Sequence, residues 1–136
     1  MRFVKQSTLL LIITVILVLL SLFQLLLILG VPLGRAAWGG QNEVLPTVYR
    51  IASAFSILIY GGILWLAHQR VSRPEGKGFQ IAVWIIFAYF CLGVILNAIT
   101  PSVIEHIWVP MNLILAWAFF LLGKSRKQKT NQTLSK

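Results

Sequence analysis

Charged residues and cysteine are both scarce in this sequence, and each scarcity excludes a class of protein. Only 11% of the residues are charged, three of them acidic, whereas 58% are hydrophobic. A soluble domain carries about 25% charged residues, so this chain has too few to cover a water-exposed surface. The single cysteine, Cys91, excludes an internal disulfide and a CxxC redox pair, and it is interpreted as a small core residue.

The residue patterns of common catalytic and metal sites are also missing. Zinc needs several His, Cys or carboxylate ligands, but His68 and His106 lie on opposite sides of the membrane in the topology described below. The sequence contains no GxxxxGK[ST] phosphate-binding loop and no GxSxG nucleophile turn. We therefore predict no catalytic residue, no metal site and no cofactor.

Four long apolar runs, at residues 8–29, 47–67, 79–99 and 103–122, dominate the sequence. Each is long enough for one helical crossing of a hydrocarbon core about 30 Å thick. The apolar stretch of a signal peptide spans only about 7–15 residues, so the first run is predicted to be a retained helix. Because helices satisfy their own backbone hydrogen bonds in lipid, the predicted fold is all-α. It is a polytopic membrane protein with four transmembrane helices in an antiparallel bundle.

The basic residues are distributed unevenly around these runs. Two precede the first run, three lie between the second and third, and five follow the fourth, whereas only Arg35 and Arg50 lie on the other side. The positive-inside rule therefore places both termini and the middle connection in the cytoplasm. The same clustering argues against nucleic-acid binding, which needs a continuous basic face.

The chain divides into two predicted parts. Residues 1–123 form the transmembrane domain, and residues 124–136 form a basic, disordered cytoplasmic tail because they are polar and have no apolar period. The basic residues of the tail either serve topology alone or also contact anionic lipids.

Polar side chains recur near the outer ends of the runs, and they define a candidate site. This outer polar cluster consists of Arg35, Trp38, Arg50, Asn97 and Glu105. Arg50 and Glu105 carry opposite charges, and a charge held near lipid needs a partner. We therefore expect Arg50, Asn97 and Glu105 to approach one another beneath residues 34–40. The apolar residues of the long connection at residues 31–46 predict that it folds onto the membrane surface or over the bundle.

Two other interpretations of these polar residues are open. Ser102 and Glu105 have the spacing of a capping box at the start of the fourth helix, which would leave Arg50 in the headgroups. Alternatively, the polar groups only form hydrogen bonds between helices, where each contributes about 0.6 kcal/mol on average.

Two segments resemble a recurring pattern in small bacterial membrane proteins of unassigned function. The first is GVPLGRAAWGG at residues 30–40, followed by Val44, Leu45, Pro46, Arg50 and Ser53. The second is NAITPS at residues 97–102, followed by Glu105, Trp108 and Pro110. The resemblance extends from residue 30 to about residue 122 and implies a four-helix protein of the bacterial plasma membrane. It implies no substrate, cofactor or catalytic residue.

These observations favour a non-enzymatic binding or accessory protein of the bacterial cell membrane with an outward-facing polar site. A small oligomeric transporter or channel subunit is the first alternative, because one four-helix bundle is too small to enclose an obvious aqueous path. A lipid- or quinone-linked enzyme that uses Arg50, Glu105 and His106 is the second. The predicted partner is the lipid bilayer, and a second copy of the chain or another membrane protein stays open.

Overall fold

A computed structural model describes residues 4–73 and 76–134, with side chains described as far as residue 125. Its helices are α1 (Gln6–Ile28), α2 (Thr47–Ser72), α3 (Lys77–Ile99) and α4 (Trp108–Leu134). Short 3-10 turns at Gly34–Ala36 and Val103–Ile107 lie in the connections. The described residues contain no strand, and four of their helical stretches are long and apolar enough to cross a membrane. The prediction of an all-α chain with four candidate spans is therefore confirmed.

The last helix differs most from the predicted bounds. It begins at Trp108 rather than at residue 103, because Val103–Ile107 form a 3-10 turn. Pro110 then falls in the first turn of α4, where its missing N–H removes no helical hydrogen bond. At the other end the helix continues to Leu134, although the sequence predicts a disordered tail from residue 124. The residues beyond Gly123 include no Gly or Pro, and Lys, Arg and Gln are good helix formers.

The helices surround a common core. α1 packs against α2 and α4, and α3 packs against the same two helices. One hydrophobic cluster draws residues from all four helices. We call it the packed core, and it contains Leu9, Ile13, Leu17, Leu20, Ile63, Ala67, Val83, Ile86, Phe90, Leu115, Ala116, Ala118, Phe119 and Leu122. Most of it lies toward the terminal end of the molecule, which holds the start of α1, residues 70–80 and Gly123.

A buried arginine joins three helices at this terminal end. Arg70, in the last turn of α2, is only 1% exposed. Its Nη2 donates to Oε1 of Gln80 at 2.9 Å, and Nε2 of Gln80 donates to the carbonyl of Gly123 at 2.8 Å. In the sequence, Arg70 is one of the three basic residues between the second and third apolar runs. Its place there does not show whether its side chain is buried or exposed.

Candidate functional site

The opposite end of the molecule, which we call the loop end, consists of residues 29–46 and 100–107. The long loop at residues 29–46 contains a second hydrophobic cluster, in which Leu27 of α1 packs with Ala37 and Leu45. Gly34 packs against the backbone of a later part of the same loop, and a Cβ at this position would collide with the Asn42 carbonyl oxygen. The apolar residues of the loop are thus used to fold it, and it covers the ends of the helices as one of the two predictions states.

Side chains from the start of α4 and the turn before it hold the long loop down. Trp108 Nε1 donates to the carbonyl of Ala36 at 2.6 Å, and the Ser102 hydroxyl donates to the carbonyl of Arg35 at 2.7 Å. The ring of Trp108 also packs against Phe23 of α1, with ring centroids 4.6 Å apart. These contacts fix the loop above the space between the helices.

Trp38 adopts an unusual backbone conformation in this loop. Its φ is 55°, and Gly39 and Gly40 follow at 85° and 67°. Positive φ is rare for a bulky residue and costs conformational energy unless the surroundings hold it. Here Trp38 Nε1 donates to the hydroxyl of Ser53 at 3.2 Å, and the indole stacks on Tyr49 at 5.8 Å. The turn brings the N–H of Gly39 toward the helices.

Glu105 accepts that N–H and is the only acidic side chain buried within the described residues. It is 5% exposed, and its Oε1 accepts the Gly39 N–H at 2.7 Å. Its Oε2 accepts the Thr100 hydroxyl at 2.6 Å. One carboxylate therefore joins the long loop, the end of α3 and the turn before α4.

The capping-box interpretation of Glu105 is wrong. The Ser102 side chain makes no cap hydrogen bond and instead donates to the long loop. The N–H of Glu105 bonds to the backbone carbonyl of Ser102 within a 3-10 turn. Ser102 and Glu105 have the spacing of a capping box, but in the fold both side chains bond to backbone groups of the long loop. Ser102 donates to the Arg35 carbonyl, and Glu105 accepts the Gly39 N–H.

The predicted ion pair between Arg50 and Glu105 is also wrong. Within the described ranges these two side chains form neither a hydrogen bond nor a salt bridge, and Arg50 Nε donates to the carbonyl of Leu45 at 3.0 Å. The guanidinium lies beside Gly30, where an added Cβ would come within 2.7 Å of Nη2. The Nε group of Arg50 thus bonds to a carbonyl just before its own helix, whereas Glu105 bonds to Gly39 and Thr100.

A cavity of about 590 Å³ lies between the four helices beneath the long loop. Three members of the outer polar cluster, Trp38, Asn97 and Glu105, line it. Asn97 also donates from Nδ2 to the carbonyl of Gly93 at 2.8 Å, within its own helix. Arg50 lies outside the lining, and the exposed Arg35 contributes only its carbonyl to the loop. The structure therefore brings three of the five predicted residues to one cavity.

Gln24 is a site residue that the outer polar cluster omits. It lines the cavity from α1, is 9% exposed, and its Oε1 has no hydrogen-bond partner among the described residues. An unsatisfied buried acceptor costs about 1–3 kcal/mol, which a hydrogen-bond donor inside the cavity would remove. In the sequence, the signal for this role is that Gln24 is an amide side chain within the first apolar run.

The polar groups that line the cavity are mainly amides, hydroxyls and one carboxylate. Among the described residues no three His, Cys, Asp or Glu side chains come together. The His106 ring is exposed and faces the carbonyl of Thr100, so it does not pair with the neighbouring Glu105. What remains is a walled space with a carboxylate, two asparagines and a glutamine. Searches of protein-family models, of curated proteins and of solved structures return no match to this chain.

Proposed function

We propose that this protein binds a small amphiphilic molecule within the membrane and catalyses no reaction on it. The cavity of about 590 Å³ carries the proposal. Ligand sites commonly enclose about 300–1,000 Å³ and combine apolar walls with a few placed polar groups. Here aromatic and aliphatic walls surround Gln24, Asn97 and Glu105.

The proposal includes a membrane and an orientation. The chain is an antiparallel four-helix bundle in the bacterial plasma membrane, with both termini in the cytoplasm and the cavity toward the outer surface. The basic residues near the chain ends and the middle connection support this orientation through the positive-inside rule. The resemblance of residues 30–40 and 97–102 to small bacterial membrane proteins supports the membrane.

The long loop covers one end of the cavity, on the proposed outer side. Its carbonyls and N–H groups bond to Ser102, Glu105 and Trp108, so the cover is attached to the turn before α4 and to the first residue of α4. Trp38 is 40% exposed and lines the same cavity, so its ring lies between the ligand space and the surroundings. A ligand would pass this ring or slide between helices from the bilayer.

Retention of a ligand by the purified protein tests the binding function. Ser56 lines the cavity, whereas Ala54 on the same helix is exposed and lies outside the lining. Native mass spectrometry should show a small molecule on the parent protein and on Ala54→Phe, and none on Ser56→Phe, because the added ring fills the space. A parent protein without a bound molecule, or equal retention by both variants, would contradict the proposal.

Thiol labelling in intact cells tests the orientation. In a Cys91→Ala background, Gln41→Cys should react with a membrane-impermeant reagent, whereas Ser72→Cys and Ser125→Cys should react only after lysis. Labelling of Ser125→Cys in intact cells would overturn the orientation and leave the cavity proposal unaffected.

A further inference from the structure

Resting on the proposed function, we infer that the ligand is an organic cation, such as a protonated amine with an apolar part, whose positive group lies beside Glu105. The first step of the argument is the unbalanced charge of this side chain. Glu105 is 5% exposed, and both of its carboxylate oxygens accept hydrogen bonds from neutral donors. A buried carboxylate is costly unless a positive charge balances it.

The basic side chains nearest in the fold do not supply that balance. Arg50 bonds to the carbonyl of Leu45, and the Arg35 side chain is exposed. The His106 ring is exposed and faces a backbone carbonyl. Of the described residues that line the cavity, none is Lys or Arg. The cavity thus has a negative group at its covered end and no positive group of its own.

The walls of the cavity also suit a cation. Five aromatic residues line it, namely Phe23, Trp38, Tyr60, Tyr89 and Trp108. The face of an aromatic ring attracts an organic cation, more strongly when water is excluded. An anion would meet the like charge of Glu105.

The polar groups of the lining include an acceptor that a ligand donor could reach. Oε1 of Gln24 is buried without a partner, and the Nδ2 groups of Asn97 and Asn112 donate to carbonyls of their own helices. A protonated amine brings several N–H donors and no acceptor, which matches this arrangement. Gln24 on α1 and Glu105 in the turn before α4 both line the cavity, so one ligand can meet both side chains.

Three probes with one apolar group and different charges separate these possibilities: 4-phenylbutylammonium, 4-phenylbutanol and 4-phenylbutanoate. Binding is measured by calorimetry on the full chain in phosphatidylcholine nanodiscs at pH 7, with the heat from empty nanodiscs subtracted. The ammonium should bind about tenfold or more tightly than the alcohol, because a charge-assisted hydrogen bond to Glu105 replaces a neutral one. The carboxylate should bind most weakly.

Glu105→Gln should remove the preference for the ammonium, and Glu43→Gln should preserve it, because Glu43 is exposed. Thermal unfolding of each variant establishes that it is folded under the conditions of the titration. Equal binding of ammonium and alcohol, or a preference that survives in Glu105→Gln, would overturn the inference.

The same titrations distinguish failure of this inference from failure of the proposed function. If all three probes bind alike and Ser56→Phe abolishes their binding, the cavity is a ligand site without selectivity for cations. If none binds, the cation inference is wrong, and the ligand-retention measurement alone decides the proposed function because it does not depend on charge.

Discussion

The two ends of the molecule are built differently, although both are made from the same four apolar helices. At the terminal end the helices are in direct contact, and side chains such as Phe119 and Val83 are completely buried. At the loop end the helices leave a cavity of about 590 Å³. There the Ser102 and Trp108 side chains donate hydrogen bonds to loop carbonyls, and Glu105 accepts one from a loop N–H. The larger apolar core stabilises the terminal end, whereas a smaller apolar cluster and several hydrogen bonds to the long loop stabilise the loop end.

In the proposed membrane, this difference follows from what lipid does and does not provide. Lipid tails are as apolar as leucine, so helices associate in a membrane through close packing and hydrogen bonds. The terminal end uses close packing, with the Arg70–Gln80 hydrogen bond in addition. The loop end has fewer packed contacts and relies on groups that can also face a ligand. Space for a ligand therefore requires a separate means of holding the helices, which the long loop provides.

The largest effect should come from removing a ring at the terminal end. Phe119 is fully buried and stacks on Phe90 with ring centroids 5.7 Å apart. Phe119→Ala should lower the free energy of unfolding by about 3 kcal/mol, since the close-packed surroundings cannot fill the space. Phe23→Ala, in the wall of the cavity, should cost about 1 kcal/mol, because that half-buried ring already borders empty space. Unfolding in detergent with increasing SDS measures both, and equal losses would contradict the comparison.

Adding a ring should destabilise the packed core more than the cavity. Ala118 is fully buried in the packed core, so Ala118→Phe should cost about 2 kcal/mol through overpacking. Ser56→Phe places the same ring in the cavity and should change stability by less than about 1 kcal/mol. The two variants are compared by thermal unfolding in the same detergent. A Ser56→Phe variant as unstable as Ala118→Phe would mean that the cavity cannot hold a phenyl group.

A smaller effect should follow from neutralising the buried carboxylate. Glu105→Gln replaces two charge-assisted hydrogen bonds and introduces an amide that faces the Gly39 N–H or the Thr100 hydroxyl. It should cost about 1 kcal/mol, whereas Glu43→Gln, on the exposed loop surface, should change stability by less than about 0.5 kcal/mol. Parallel unfolding curves decide the matter. Equal effects would show that Glu105 contributes no more to the loop end than a surface charge.

Removing the last residues should have the smallest effect. Truncation after Lys129 leaves the packed core intact, because its last member is Leu122. The truncated chain should remain in the membrane fraction after alkaline extraction and unfold within about 0.5 kcal/mol of the parent. A truncated chain that is extracted or degraded would show that the terminal end depends on more than its packed core.

The helices and their number were predictable because they depend on local composition. Long apolar runs separated by polar connections predict membrane-spanning helices wherever they occur, and Pro101 with its neighbours marks one boundary. The predicted capping box and the predicted Arg50–Glu105 ion pair were wrong, because backbone groups from other parts of the chain bond to the same side chains. The Ser102 hydroxyl donates to the Arg35 carbonyl, and the Glu105 carboxylate accepts the Gly39 N–H. In each pair the two residues are more than sixty positions apart in the sequence.

The sequence by itself determined an all-helical chain with four helices long and apolar enough to cross a membrane, since 58% of its residues are hydrophobic and they form four long apolar runs. It also singled out Trp38, Asn97 and Glu105 as polar or amphipathic groups near one end of the helices. Only the tertiary structure decided that these three share a cavity with Gln24, that Arg50 does not join them, and that Arg70 is buried at the opposite end. The reason is geometric. Hydropathy is a property of short segments, whereas the partner of a polar group is whichever donor or acceptor the packed helices and the long loop bring within about 3 Å.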